Sequence, residues 1–202
     1  MSRSYSKKVL LSRCKTQAAH QISEVNSLFS HTDEESILTA PFPGKWSAKQ
    51  CLEHLISTLN LYIPRIKKEL DKNLISHKDE LKHGFIGYKF LTGILPKEDG
   101  TVSRTMKTFK SLQPNITGIT KEQVVKDFAE KMTTLKSYLD YSSDKNLQKL
   151  KVTSAAGPLL RLRLGDVYPF LLNHNVRHIL QARKAIETNL KRKGLSLEKP
   201  FQ

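Results

Sequence analysis

Two histidines one helical turn apart are the residues of this chain best placed to do chemistry. His174 and His178 stand at i and i+4 in the segment HNVRHILQ, a spacing that places both imidazoles on one helix face. Both fall on an apolar stripe, where an unpaired buried imidazole costs about 1–3 kcal/mol, whereas Arg177 is expected to point elsewhere. The pattern is typical of paired metal ligands, and a chance pair of hydrogen-bonded core histidines is the alternative.

His54 is the candidate for a third ligand. It stands in the segment CLEHL, at the edge of another apolar stripe, where it could face a cavity between helices. Three neutral imidazoles would leave a coordination position open, as in catalytic zinc sites; a hydrogen-bonded helix histidine is the alternative. Glu53 is expected on the surface, and no catalytic or cofactor-binding residue beyond the triad is identified. The other histidines lack partners at ligand spacing and are expected on the surface: His20, His31, His77 and His83.

Four long helices are predicted to position these residues, because apolar side chains recur every three or four residues in four segments. The second helix begins with a capping box, since Ser47 is followed three residues later by Gln50. Trp46 precedes this cap as a hydrophobic staple, and Pro64 inside the helix predicts a kink. The predicted helices run from about Ser6 to Phe29, from Ser47 to Leu70, from Thr120 to Leu139 and from Asp166, as N-cap, to Lys191.

The connections between these helices carry further expectations. Residues 31–44 are predicted to form a loop, because their prolines and glycine break helices. Residues 76–119 form a long crossover. We expect part of it to pack, because it contains Phe85, Ile86, Tyr88, Phe90 and Leu91. Residues 160–164, LRLRL, alternate like a strand but have no predicted partner, so we interpret them as an extended lead-in to the last helix.

The composition fits a single domain over residues 1–202. Hydrophobic residues make up 38% and charged residues 26%, which allows a core without disulfides. Cys14 and Cys51 lack CxxC spacing, so we expect two buried thiols in a reducing compartment. No apolar run approaches the roughly 18 residues of a membrane span, and the chain start lacks a signal-peptide core. These features predict a cytoplasmic protein with no membrane partner.

The net charge of +15 is the strongest compositional signal. The chain has no arginine-rich tract, no aromatic RNP-like motif and no zinc-finger spacing, so nucleic acid is not the expected partner. A solvated basic surface is the simpler interpretation. A non-catalytic helical protein that binds a polyanion such as nucleic acid stays the alternative to an enzyme.

Two segments resemble the DinB-like superfamily, also called the DinB/YfiT-like metalloenzymes. PGKWSAKQCLEHL, residues 43–55, resembles the segment in which Trp-Ser opens the second helix and His-Leu supplies the first metal ligand. HNVRHILQ, residues 174–181, resembles the last helix of the family, with its HxxxH pair and a following glutamine. Residues 108–128 resemble the lead-in to the third helix, so the likeness spans most of the chain.

The resemblance implies an all-α four-helix bundle with up-down-down-up topology and a long crossover between helices 2 and 3. It implies a divalent metal ion, Zn²⁺ or Ni²⁺, on His54, His174 and His178, with Gln181 as a candidate support. Relatives activate a low-molecular-weight thiol such as bacillithiol, mycothiol or glutathione, or are described as hydrolases that would activate water. We therefore expect a metal-dependent transferase or hydrolase acting on a small molecule, and a homodimer.

Overall fold

Helices account for most of the residues that the computed structural model describes, which are 4–94, 108–109, 112–114 and 118–197. The all-α class is therefore confirmed. The helices are α1 (Lys7–Ser30), α2 (Glu34–Leu38), α3 (Ala48–Leu70), α4 (Phe85–Ile94), α5 (Lys121–Tyr141) and α6 (Leu164–Arg192). The short strands are β1 (Ser4–Ser6), β2 (Glu80–Lys82), β3 (Lys151–Thr153) and β4 (Arg161–Arg163).

Side chains at the helix starts satisfy backbone N–H groups that have no partner inside the helix. The capping box of α3 is confirmed: the Ser47 hydroxyl accepts from the Gln50 backbone at 3.2 Å, and the Gln50 side chain accepts from the Ser47 backbone at 2.9 Å. At α5, the Thr120 hydroxyl accepts from the Gln123 backbone at 3.2 Å. Gly194, with φ of 72°, follows the end of α6, where a left-handed residue commonly terminates a helix.

The four long helices share one core. Helices α1 and α3 both pack against α5 and α6, so each long helix has two long neighbours. The predicted stripe of α6 is buried except at His174, which is partly exposed. None of the helices in the described part of the chain is long and apolar enough to span a membrane. The predicted stripe of α5 is fully buried: Val124, Phe128, Met132, Leu135 and Leu139.

The interpretation of residues 160–164 as an unpaired lead-in is wrong. Strand β4 pairs antiparallel with β3, and Val152 lies opposite Leu162. Both of these side chains are buried, while Lys151 and Arg161 are exposed. A strand of three residues is too short to produce a recognisable alternation, so β3 could not be read from the sequence. At the start of the chain, β1 pairs in the same way with β2.

The start of α6 also differs from its prediction. The helix begins at Leu164, after Arg163, which occupies the N-cap position without a side-chain hydrogen bond. Asp166 lies inside the first turn and is buried, where its carboxylate accepts from His83 Nδ1 at 2.6 Å and from the Gly84 backbone at 2.9 Å. The prediction of His83 as a surface residue is therefore wrong, since its side chain is 19% exposed.

The crossover between α3 and α5 packs only in part as expected. Leu81, Leu91 and Leu112 are buried, so three points of this segment contact the core. Of the apolar residues behind this expectation, Leu91 is buried, whereas Phe85 and Ile86 are exposed at the start of α4. The rest of the expectation for residues 95–107 lies outside the described residues.

The predicted loop between α1 and α3 contains a short helix, α2. Asp33 caps it by accepting from the Ser36 backbone at 2.9 Å. The Asn189 side chain on α6 donates to the carbonyls of Ser36 and Thr39, at 2.9 and 2.8 Å. Because Asn189 is buried, these bonds fix α2 against the far end of α6.

Candidate metal centre

Packing of α3 against α6 brings His54, His174 and His178 together. One ring nitrogen of each lies within 4.8 Å of those of the other two. The Nε2 atoms of His54 and His174 are 3.2 Å apart, and the three ring centroids are 4.5 to 5.0 Å from one another. All three histidines selected from the sequence therefore occupy one cluster.

Hydrogen bonds orient two of the three rings. His54 Nδ1 donates to the backbone carbonyl of Leu112 at 2.6 Å, and His178 Nδ1 donates to Gln181 Oε1 at 3.0 Å. Because a carbonyl oxygen only accepts, Nδ1 of each ring carries the proton and Nε2 carries the lone pair when the ring is neutral. Ligating histidines are commonly supported in this way. Gln181 was indicated by the sequence, whereas Leu112 was not, because it acts through its backbone.

The third ring has an unusual environment. His174 Nδ1 is buried and has no hydrogen-bond partner among the described residues, while its Nε2 faces His54 Nε2. Two lone pairs 3.2 Å apart repel unless a proton or a cation lies between them. Two nitrogens that bind one tetrahedral zinc ion with bonds of about 2.0–2.1 Å are roughly 3.3 Å apart. The donor set and this spacing therefore fit a metal ion.

The cluster is held in its neutral form. Burial lowers the pKa of His54, and burial lowers that of His178 to about 3. The pKa of His174 lies well below its ordinary value, first because of burial and then because of His178, His54 and Arg177. Neutral imidazole is the form that binds metal ions, so at neutral pH these rings would bind a cation without first losing a proton.

Aromatic side chains form walls beside the imidazoles. The Trp46 ring centroid lies 5.0 Å from that of His54 and 5.9 Å from that of His178. Phe170 lies one turn before His174 and stacks on it, with centroids 6.1 Å apart and planes 28° apart. The sequence suggested Trp46 only as a staple for α3, and Phe170 was missed although its i−4 spacing from His174 was a usable signal.

Two charged residues next to the cluster in sequence are buried wholly or in part. Glu53 is buried rather than exposed, and burial raises its pKa, opposed by Lys49 at 3.3 Å. Arg177, which the sequence set aside, is half-buried, and its charge contributes to the lowered pKa values of His174 and His178. Its own pKa is lowered by burial, so the guanidinium is partly withdrawn from water.

Comparison with known proteins bears on the same residues. The family model described as the DinB superfamily matches residues 17–182 of the chain. No curated protein and no solved structure matches it. The matched range spans most of the sequence and includes every residue of the histidine cluster.

Proposed function

Since the chain belongs to the DinB superfamily, we propose that it is a metal-dependent enzyme whose divalent ion is held by His54, His174 and His178. The observation that carries the proposal is the convergence of three ring nitrogens within 4.8 Å. Imidazole ligands suit Zn²⁺ and Ni²⁺. A bound ion of this kind lowers the pKa of a thiol or a water molecule and so supplies a nucleophile at neutral pH.

The residues of the chain prepare this site in three ways. The Leu112 carbonyl and Gln181 hold the Nδ1 protons of two rings, which directs the Nε2 atoms inward. Trp46 and Phe170 flank the rings and limit the access of water. The ligands lie on two packed helices, so their positions are more rigid than loop residues would allow. With three protein ligands, one coordination position is left for a substrate.

We propose a small-molecule substrate and, for the transferase reaction, a thiol that comes from outside the chain. Cys14 and Cys51 are both buried, and burial raises the pKa of each to about 12. Neither thiol is therefore ionised at neutral pH. A thiol nucleophile would have to be a low-molecular-weight cosubstrate, while the hydrolase reaction would use water.

The proposal includes a single domain over residues 1–202 with up-down-down-up helices. Lys15 in the first half of α1 pairs with Asp140 near the end of α5 at 2.8 Å, which favours antiparallel helices. Glu24 in the second half of α1 pairs with Arg183 in the second half of α6 at 3.0 Å, which favours parallel helices.

Contacts between α3 and α6 support the same topology. His54 contacts His174, whereas Tyr62, two turns later in α3, contacts Phe170, one turn earlier in α6. The two helices therefore run in opposite directions, as the topology requires. We also propose a homodimer; light scattering that returns the 23.0 kDa of one chain would reject it.

Metal analysis and thermal unfolding test the proposed function. We expect about one divalent ion per chain after expression with added metal, and a higher Tm with Zn²⁺ or Ni²⁺, because the ion binds the folded state preferentially. His54→Ala and His178→Ala should lose most of that rise. His20→Ala is the matched control, since its side chain is 75% exposed. If Zn²⁺ raises the Tm of His54→Ala as much as that of the wild type, His54 is not a ligand.

A further inference from the structure

The turn that joins β3 to β4, residues 154–160, exposes a leucine almost completely. Leu159 is 98% exposed, whereas Phe85, the next most exposed large apolar residue in the described part of the chain, is 65% exposed. Single exposed leucines are common on protein surfaces. This one differs because it stands at the end of a hairpin, beside the exposed Pro158, in a turn that contains no charged side chain.

Hydrogen bonds hold this hairpin tip, residues 154–160, in place. The Ser154 N–H donates to the Leu160 carbonyl at 2.7 Å, and the Leu160 N–H donates to the Gly157 carbonyl at 3.2 Å. The Ala155 N–H donates to the Tyr62 hydroxyl of α3 at 3.1 Å. The backbone of the tip is therefore fixed to the bundle, and none of these bonds involves the side chain of the exposed leucine.

Positive charge accompanies the hairpin. Residues 145–165 contain five Lys or Arg and no Asp or Glu. Arg161 pairs with Glu69 of α3 at 3.2 Å. Lys149 and Lys151 are exposed, and neither ammonium group has a hydrogen bond or an ion pair with a described residue. Lys151 begins β3, so it lies about 10 Å from the tip, which is close to one Debye length at physiological salt.

A further cation lies at the base of the tip. The guanidinium of Arg65 on α3 donates to the carbonyls of Thr153 and Ser154 at 2.9 and 3.3 Å. These carbonyls satisfy its donors without carrying a negative charge, so the positive charge stays. The end of the hairpin therefore combines a protruding apolar side chain with this arginine and the two exposed lysines.

We propose that the hairpin docks on membrane surfaces that carry anionic lipids. Leu159 enters the boundary between headgroups and acyl chains, while Lys149, Lys151 and Arg65 attract the anionic headgroups. The sequence prediction of no membrane partner was based on the lack of a spanning segment, and docking of this kind needs none. The proposal is independent of the metal site.

Other partners match only part of this surface. The phosphates of a nucleic acid would attract the lysines but leave the protruding leucine in water. A second copy of the hairpin would bring like charges together. A membrane with anionic lipids offers a negative surface and an apolar interior, and it needs no preformed pocket to accept a convex tip.

Co-sedimentation with vesicles tests the proposal. The whole chain is mixed with vesicles of phosphatidylcholine and phosphatidylglycerol in equal parts, and separately with vesicles of phosphatidylcholine alone. We expect binding to the mixed vesicles that weakens as salt is added. Leu159→Ser should weaken this binding about tenfold, and the double variant Lys149→Gln/Lys151→Gln about tenfold or more.

The matched controls alter the same residue types away from the hairpin. Leu195→Ser changes a leucine that is 56% exposed and lies beyond the end of α6, and Lys126→Gln/Lys191→Gln removes two exposed lysines. Both should bind like the wild type. Leu159→Trp is a second probe: its fluorescence should shift to the blue with mixed vesicles, because indole favours the interface. The wild type, whose one tryptophan is Trp46, should show no shift.

The proposal is overturned if the wild type does not bind mixed vesicles or binds neutral vesicles equally well. Equal binding by the wild type and by either Leu159→Ser or the double lysine variant also overturns it. Duplex DNA binding that depends on the two lysines, without vesicle binding, would assign the hairpin to nucleic acid instead. If Leu159→Ser fails to fold, the Leu159→Trp spectrum decides, and no shift with mixed vesicles counts against the proposal.

Discussion

One histidine contacts the start of α6 and a group of three meets two turns later, and the two sites have opposite kinds of partner. Near the start of the helix, His83 donates to the buried carboxylate of Asp166 at 2.6 Å. Two turns later, His174 and His178 cluster with His54, and no carboxylate contacts them among the described residues. A carboxylate accepts the proton of an imidazole beside it, whereas two facing imidazole lone pairs need a proton or a cation between them. The cluster of three imidazoles is therefore the arrangement that suits a bound cation.

The partners of Asp166 show what the first group does. Its carboxylate also accepts from the Gly84 backbone at 2.9 Å and from the Tyr5 hydroxyl, whose pKa is raised by burial and by Asp166. Tyr5 lies in β1 and stacks near His83, with ring centroids 4.2 Å apart. One buried carboxylate thus ties the strand pair and the start of α4 to α6. We interpret this group as structural and the triad as functional.

The largest effect on stability is expected when the buried carboxylate is removed. Asp166→Ala should lower the free energy of unfolding by about 3 kcal/mol or more, because His83, Gly84 and Tyr5 each lose an acceptor. Urea unfolding at neutral pH measures it. Asp140→Ala is the control: its carboxylate pairs with Lys15 but is 63% exposed, so its loss should cost less than about 1 kcal/mol. Equal stabilities for the two variants would contradict a structural role for Asp166.

A smaller effect is expected from the glycine that lets α4 approach this carboxylate. A Cβ atom on Gly87 would lie 2.3 Å from Asp166 Oδ2, whereas one on Gly93, in the same helix, would meet nothing within 4 Å. Gly87→Ala should therefore cost about 1–3 kcal/mol through overpacking, and Gly93→Ala should be neutral or stabilising by up to about 1 kcal/mol.

The rise in Tm that Zn²⁺ causes tests whether the Asp166 group and the histidine triad are independent. If the two groups are independent, Zn²⁺ should raise the Tm of Gly87→Ala by as much as that of the wild type, even though the variant unfolds at a lower temperature. A lost metal response in Gly87→Ala would show that the two groups are coupled. If Gly87→Ala were as stable as the wild type, α4 would not be held closely against Asp166.

The same contrast separates what the sequence could predict from what it could not. The HxxxH pair is fixed by local helix geometry, and the capping box of α3 is a four-residue pattern, so both were accessible. His54 was selected through its edge position and the family resemblance. The bond between His83 and Asp166 joins residues 83 positions apart, and no local pattern marks such a pair. The hydrogen bond from His54 to the Leu112 carbonyl was unpredictable for another reason, because every residue type carries the same backbone carbonyl.

The charged neighbours of the site show a further limit. Arg177 and Glu53 have side chains that are ordinarily exposed, and composition and helical spacing gave no sign that they are partly or fully buried here. Their burial depends on how α3, α6 and the crossover pack together. Residues of this type were therefore set aside at the sequence level.

The smallest expected effect is a loss of stability of the metal-free protein at acidic pH. Burial lowers the pKa values of the three clustered imidazoles, that of His178 to about 3, while in the unfolded chain each is about 6.5. Between these values the unfolded chain binds more protons than the folded one. The stabilisation of the metal-free fold is therefore fully present above about pH 6.5 and is lost as the pH falls below it, by at most about 1.4 kcal/mol per pH unit for each imidazole.

Removing one of these imidazoles should flatten that acid response. We expect the metal-free His178→Gln protein to lose about 1 kcal/mol less stability than the wild type between pH 7 and pH 5.5, because one group no longer takes up a proton on unfolding. Urea unfolding in the presence of a chelator at the two pH values measures the difference, and His20→Gln, altered at an exposed position, should behave like the wild type. Identical losses in His178→Gln and wild type would mean that the ring is protonated in the folded protein. The neutrality of the triad, on which metal binding depends, would then have to be abandoned.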